Sequence, residues 1–181
     1  MINKDILKKK KIDGEHLYLR PVQVADVTED YVGWLNNKEI NQYLESRFVT
    51  HTLESVEAYV EKNIGDPDIF FFAIIRKDNN CHIGNIKLGP VDWHHKIGDI
   101  GIIIGDKDSW GKGYATEAIA ILSSFAFSEL GLHKLTASAY ENNVGSIKAF
   151  QNAGFSEEGR KKNHYLYQDK YIDSVLLAKI N

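Results

Sequence analysis

What this chain lacks narrows it first. A single cysteine, Cys81, stands among 181 residues. No disulfide can close within one copy, and a lone thiol fits a reducing compartment. Proline is scarce. Pro21, Pro67 and Pro90 each sit at the edge of an apolar segment, as punctuation between elements rather than linker material. The longest apolar run, Ile69 to Ile75, falls far short of the ~20 residues of a membrane-spanning helix, so no membrane partner is expected. The opening Met1-Ile2-Asn3-Lys4-Asp5 has no apolar stretch behind a basic start and no lipidation motif, which makes the cytoplasm the expected location. Charge of one sign is missing too. Lysine plus arginine number 22 against 25 aspartate plus glutamate, for a net charge of −3. A domain dedicated to nucleic acid shows a strong basic excess, so no nucleic-acid partner is expected.

What remains is ordinary for a folded chain. The hydrophobic fraction of 43% supports a core, and the length suits one domain that needs no metal or disulfide staple. No repeat or low-complexity segment divides it. The tract Lys8-Lys9-Lys10-Lys11 is the one charge run. It is expected to be a solvated, partly mobile arm over residues 1–15, ahead of a single domain at 16–181. His16 to Arg20 alternates like a strand. Asp26 to Asn36 and Thr52 to Ile64 carry apolar residues at helical spacing, with Thr52 as N-cap. Ile69–Ile75 and His82–Leu88 flank Asp78-Asn79-Asn80 as a hairpin, and Lys96–Ile104 is a third strand. Tyr114 to Leu130 is the clearest helix. Lys134–Tyr140 is a strand, Ser146–Asn152 a short helix, and Phe155–Lys179 two strands around Gln168-Asp169-Lys170. Helices that interrupt a mostly antiparallel set place the chain in the α+β class.

One segment is built for an anion. Strand Lys96–Ile104 runs into Gly105-Asp106-Lys107-Asp108-Ser109-Trp110-Gly111-Lys112-Gly113-Tyr114-Ala115, and the long helix starts inside that stretch. A glycine-bearing loop opening a helix aims backbone N–H groups and the positive end of the helix dipole at one point, which suits a phosphate or pyrophosphate. It is not a Walker A loop. Five residues rather than four separate Gly105 from Gly111, and Gly113 stands where Ser or Thr should follow the lysine. Nor is it a dinucleotide fingerprint, because Thr116 replaces the third glycine.

The loop resembles the pyrophosphate loop of the GNAT superfamily of N-acetyltransferases, Gln/Arg-x-x-Gly-x-Gly/Ala. Here it reads Asp108-Ser109-Trp110-Gly111-Lys112-Gly113, with aspartate at the first position. A second block, Tyr140-Glu141-Asn142-Asn143-Val144-Gly145-Ser146 and then Ala149-Phe150-Gln151-Asn152-Ala153-Gly154-Phe155, resembles the RimJ/RimL branch, as do Glu158-Gly159-Arg160 and Tyr171-Ile172-Asp173-Ser174-Val175. The likeness spans about residues 16 to 178. It implies a GNAT fold: a mixed, mostly antiparallel central sheet of six to seven strands flanked by about four helices. It also implies an enzyme that transfers acetyl from acetyl-CoA directly to a primary amine, without a metal.

The resemblance assigns roles. Ile102, Ile103 and Ile104 would pair with the pantetheine arm like an added strand. The N–H groups of Trp110, Gly111, Lys112, Gly113, Tyr114 and Ala115 would hold the pyrophosphate, and Asn143 would hydrogen-bond the cofactor arm. Asp99 stands where several members carry a basic glutamate, on one strand face with Ile97 and Ile103; apolar neighbours would raise its pKa toward a useful range. The competing reading is a structural aspartate paired with a lysine. The position of a family glutamate base after the Glu-Gly-Arg block is Tyr165, and the position of a family tyrosine acid is Phe150, so neither role carries over. Ser146 stands at a serine used by the RimL-like branch near the sulfur; the competing reading is a helix cap. Trp34, Glu45 and Arg47 fall in the region that shapes the acceptor pocket. No histidine pair has the spacing of a zinc helix, so no metal is expected, and Cys81 reads as a small packed residue.

The expected protein is a cytoplasmic acetyl-CoA-dependent N-acetyltransferase, monomer or homodimer. Its acceptor is a small amine, such as a nucleotide-linked amino sugar or a polyamine. One alternative is a protein N-terminal amine, as in RimL. Another is a non-catalytic acyl-CoA sensor.

Overall fold

The computed structural model describes residues 7–181. Eight strands form one sheet in the order β1-β2-β3-β4-β5-β6-β8-β7. In chain order they are β1 (Ile12–Asp13), β2 (Leu17–Pro21), β3 (Phe70–Arg76), β4 (His82–Leu88), β5 (Ile97–Ile104), β6 (Lys134–Tyr140), β7 (Ser156–Tyr167) and β8 (Lys170–Ile180). The α-helices that lie wholly among the described residues are α1 (Glu29–Asn36), α2 (Lys38–Asn41), α3 (Leu53–Gly65), α4 (Tyr114–Ser128) and α5 (Val144–Asn152). The architecture is the α+β arrangement expected, with one strand and one helix more.

Each addition has a local cause. Ile12 and Asp13 pair with Leu19 and Tyr18, so the chain expected to be an arm is drawn into the sheet. The lysine tract is tied down with it. Lys8 donates to the Asp66 carbonyl, Lys10 pairs with Glu129, and Lys11 sits 4.1 Å from the centre of the Tyr18 ring. The part of the arm over residues 1–6 lies outside the described residues. The extra helix α2 starts at Asn37, whose Oδ1 accepts from the Glu39 and Ile40 N–H groups. The helix expected from Asp26 begins at Glu29 instead. Asp26 ends a short 3₁₀ turn, Val24–Asp26, with its carboxylate gripped by both Arg20 guanidinium nitrogens at 2.6 and 2.7 Å. Thr28, in extended conformation, then caps α1. Thr52 caps α3 as expected. Cys81, expected to be packed, is exposed beside the β3–β4 turn.

The sheet divides two apolar layers. Ala118, Ile119, Leu122, Phe125 and Ala126 of α4, with Ala149 and Phe150 of α5, pack on one face against Phe70, Phe72, Ile86, Ile100, Leu135 and Val175. Tyr31 and Val32 of α1, with Val56 and Val60 of α3, pack on the other against Ala73 and Ile75. The periodicity that defines these elements is the same periodicity that fills the layers.

The decisive feature is a failure of pairing. β5 and β6 are parallel neighbours only over Ile97–Lys134, Gly98–Leu135 and Asp99–Thr136, and then part. Beyond that point β5 stays paired with β4 through Ile104, and β6 with β8 through Tyr140. A V-shaped cleft opens between them. At its wide end Trp34 covers Gly105. A Cβ built on Gly105 would stand 2.0 Å from the indole, a contact that only a glycine avoids. Gly105→Ala is expected to cost about 1–3 kcal/mol through overpacking, measured by chemical denaturation; an unchanged midpoint would show that Trp34 moves aside freely.

Candidate active site

The loop that follows β5 is held from both sides. Lys107–Ser109 forms a 3₁₀ turn capped by Asp106, and the Trp110 indole N–H donates to the Ile104 carbonyl at 2.8 Å. Gly111 and Gly113 take left-handed conformations, with φ of 72° and 82°. A Cβ at either position would meet nothing within 4 Å. The requirement for glycine is therefore backbone strain, and the space above the loop is open. Among the described residues, no backbone N–H from Gly111 to Thr116 has an acceptor, because the first internal bond of this turn runs from the Glu117 N–H to the Gly113 carbonyl. These unpaired donors sit at the N-terminus of the fifteen-residue α4, where the helix dipole favours an anion.

A carboxylate in the first helical turn would ordinarily compete for those amides. Glu117 does not. Its carboxylate accepts from the His16 and Leu17 N–H groups at 2.8 and 3.2 Å, and the His16 ring Nδ1 lies 3.1 Å away. The acid is drawn toward the sheet edge and leaves the loop free.

Asp99 occupies the last paired position before β5 and β6 separate. It accepts from the Thr136 hydroxyl at 2.8 Å. The residue is exposed at the cleft mouth, yet the surrounding atoms desolvate its carboxylate. That burial raises its pKa above the ordinary range, against the opposing pull of the Thr136 hydrogen bond and the Lys87 charge. Among the described residues Asp99 has no ion pair with a lysine: its hydrogen-bond partner is Thr136, and the Lys87 ammonium is bonded to Tyr59 and Asn63.

Ser146 is half-buried in the first turn of α5. The cap is not Ser146 but Asn143, whose Oδ1 accepts from the Ser146 N–H at 3.2 Å. Among the described residues the Ser146 hydroxyl has no hydrogen-bond partner, and Asn143 retains its amide N–H₂ for a ligand. Phe150 is buried against Phe155, with ring centres 5.1 Å apart.

The acceptor residues separate. Trp34 packs on Tyr31 and His82 and belongs to the end of β5. Glu45 and Arg47 lie elsewhere, gathered around Tyr140 at the end of β6. The Tyr140 hydroxyl donates to Glu45 Oε1 at 2.5 Å and accepts from Arg47 at 2.7 Å. Burial and the Glu45 carboxylate push the Tyr140 pKa up to about 12. Tyr165 stacks on Tyr140 at 3.8 Å, and Tyr43 stacks on Tyr167 at 5.6 Å. This tyrosine cluster escaped sequence reasoning because its members come from three segments far apart in sequence: Tyr43, Tyr140 on β6, and Tyr165 and Tyr167 on β7. Tyr165, noticed only as a missing base, is half of a stacked pair.

The geometry suits coenzyme A: a row of unpaired N–H groups for a pyrophosphate, and an open strand edge beside it for an amide-bearing arm. The model of the acetyltransferase (GNAT) domain family matches residues 16–156. This chain belongs to the GNAT acetyltransferase family. It is 28% identical over 177 residues to the probable N-acetyltransferase YjcK of Bacillus subtilis, covering 94% of this chain and 97% of that one. Its fold matches a RimL ribosomal L7/L12 alpha-N-protein acetyltransferase solved with coenzyme A, with a TM-score of 0.84 at 19% identity over 94% and 98% of the two chains. It also matches spermidine N-acetyltransferase of Vibrio cholerae, solved with CoA and spermine, with a TM-score of 0.81 at 23% identity over 91% and 95%. This GNAT protein is an acetyl-CoA-dependent N-acetyltransferase. No group of three His, Cys, Asp or Glu among the described residues gathers as a metal site. No helix among them is long and apolar enough to cross a membrane.

If the Gly111–Thr116 amides hold the pyrophosphate, Gly113→Ala strains the loop at a φ of 82°. It should raise KM for acetyl-CoA about tenfold, in line with roughly 1–2 kcal/mol for a left-handed non-glycine residue, and leave kcat nearly unchanged. Steady-state kinetics at saturating acceptor test this, and an unaltered KM would remove the loop from cofactor binding.

Proposed function

We propose that this acetyltransferase acts on the primary amine of a small molecule, an amino sugar carried on a nucleotide, with Asp99 as general base and Ser146 beside the leaving sulfur. The observation that carries the reading is the neutralisation of Glu45 by Tyr140 and Arg47. The Glu45 carboxylate already has partners, while Tyr43, Tyr165 and Tyr167 beside it are half-buried, so part of their aromatic surface is open. A cation-rich acceptor finds little there; a planar or sugar-like one finds a wall.

At neutral pH the acceptor arrives as an ammonium. Asp99 takes its proton, and the freed lone pair attacks the thioester carbonyl carbon. The C–N bond forms, the C–S bond breaks, the sulfur leaves with the bonding pair, and the second nitrogen proton passes to that sulfur, which leaves a neutral amide and the free coenzyme A thiol. The Ser146 hydroxyl, near the positive end of α5, stabilises that thiolate by hydrogen bonding. The Gly111–Thr116 amides and the free β5 edge hold the donor in place, and positioning supplies much of the rate.

Thiol release from acetyl-CoA decides among acceptors. Amino-sugar nucleotides should support release, and spermidine and N-terminal peptides should not. Release with peptide alone would favour a RimL-like protein acceptor, and tight CoA binding without release would favour a sensor. Asp99→Asn should lower kcat about a hundredfold, as for loss of a general base. Because the native carboxylate must be ionised to act and its pKa is raised, wild-type activity should fall as pH drops through a value above the usual carboxylate range. That limb should vanish in the variant. The same raised pKa means that the ionised group costs the folded state at neutral pH, so Asp99→Asn should not lower Tm. Ser146→Ala should lower kcat about tenfold, the value of a hydrogen bond to a charged group, with KM for acetyl-CoA little changed. Unchanged turnover in either variant removes that residue from the mechanism.

A further inference from the structure

On the α1/α3 face, β4 presents an ammonium with no carboxylate partner and an amide donor with no acceptor. Lys87 stands opposite Gly101 in the β4–β5 register, and Asn85 stands opposite Ile103. By the alternation of β5 both share a face with Asp99. The Lys87 ammonium is held only by neutral groups, the Tyr59 hydroxyl at 3.0 Å and Asn63 Oδ1 at 3.4 Å. Among the described residues no carboxylate pairs with it, and the acid that feels its charge is Asp99. Asn85 is 3% exposed, and its Nδ2 has no hydrogen-bond partner. Turning the amide over does not help. His82 Nε2 lies 2.9 Å from the Gly84 carbonyl and 3.1 Å from Asn85 Oδ1, so that nitrogen carries the proton and requires an oxygen from Asn85. Burial depresses the His82 pKa, which leaves the ring neutral and adds no charge to compete with Lys87.

Between these donors and Asp99 the surface is hollow. A Cβ built on Gly101 meets nothing within 4 Å, and the residue is exposed. The hollow therefore has a carboxylate on one side, and on the other an unneutralised ammonium with an unpartnered amide donor behind it. Diagonal neighbours on adjacent strands stand roughly 7–8 Å apart, a span that one monosaccharide covers.

We propose that Lys87 is a specificity-determining residue, supported by Asn85, which selects an acceptor amine whose own molecule carries a phosphate within one sugar of the nitrogen and repels polycationic acceptors. This rests on the small-amine reading above and narrows it. The amine lies at Asp99 and the phosphate at Lys87. A polyamine in the same orientation would place a second ammonium against the first.

The test compares glucosamine 6-phosphate, glucosamine and spermidine as acceptors for wild type, Lys87→Met and Lys87→Arg. Wild type should favour the phosphate ester over the free sugar. Lys87→Met should raise KM for the ester about tenfold, the scale of a charge-assisted hydrogen bond, and erase the preference. Its KM for acetyl-CoA should stay within about twofold, a readout that a general loss of folding would not spare, and its spermidine turnover should rise. Lys87→Arg should restore most of the preference, because the charge is kept. A wild-type preference that survives in Lys87→Met would overturn the role of Lys87 while leaving the small-amine reading intact. Turnover of spermidine alone, unaffected at position 87, would overturn both.

Discussion

The separation of β5 from β6 after Asp99–Thr136 is the constraint on which the rest of the molecule depends. A buried strand edge must find partners for its N–H and C=O groups. Here β5 is satisfied on one side by β4, and β6 on its own far side by β8, so each strand can leave the other without unravelling. The facing edges are then left free, which is the arrangement that an extended, amide-bearing arm would need to add as a further strand. The order β6-β8-β7 is essential to this. By returning between β6 and β7, the last strand gives β6 an antiparallel neighbour along its full length, from Lys134–Ile180 to Tyr140–Ser174.

The electrostatics follow from the same opening. A chain with a net charge of −3 can still offer a place for an anion here, because the loop presents unpaired backbone donors rather than lysines. Glu117, the acid nearest those donors along the helix, is held by His16 and Leu17, which joins the start of α4 to the start of β2. At the other end of the cleft, charges are distributed by who satisfies them. Glu45 is matched by Tyr140 and Arg47, and Asp26 by Arg20, whereas Asp99 and Lys87 are left with neutral partners. Unmatched charge at the mouth of a cleft is where binding and proton transfer are expected.

Legibility in the sequence tracked the range of each interaction. Thr52 could be read as a cap because its partner, the Ser55 N–H, is three residues away. Gly111 and Gly113 could be read as a loop because positive φ is a property of the residue itself. The two-residue strand β1 could not be read. Nothing in Ile12-Asp13 distinguishes it from an arm until Tyr18 and Leu19 offer an edge. Asn143 rather than Ser146 caps α5 because the helix starts at Val144, two residues earlier than its apolar pattern shows. Trp34 was grouped with Glu45 and Arg47 by proximity in sequence, although its contacts are Gly105 and His82.

By itself, then, the sequence determined the class, the order of the longer elements, the glycine turn that opens α4 and the acetyltransferase family, since these rest on local periodicity, glycine backbone freedom and short spaced motifs. Tertiary structure alone decided how the cleft is furnished. It brought Tyr43, Tyr140, Tyr165 and Tyr167 together and set Lys87 one strand away from Asp99. It also left Asn85 without an acceptor. Those outcomes depend on strand order and register, and a register is a relation between segments that neither segment encodes alone.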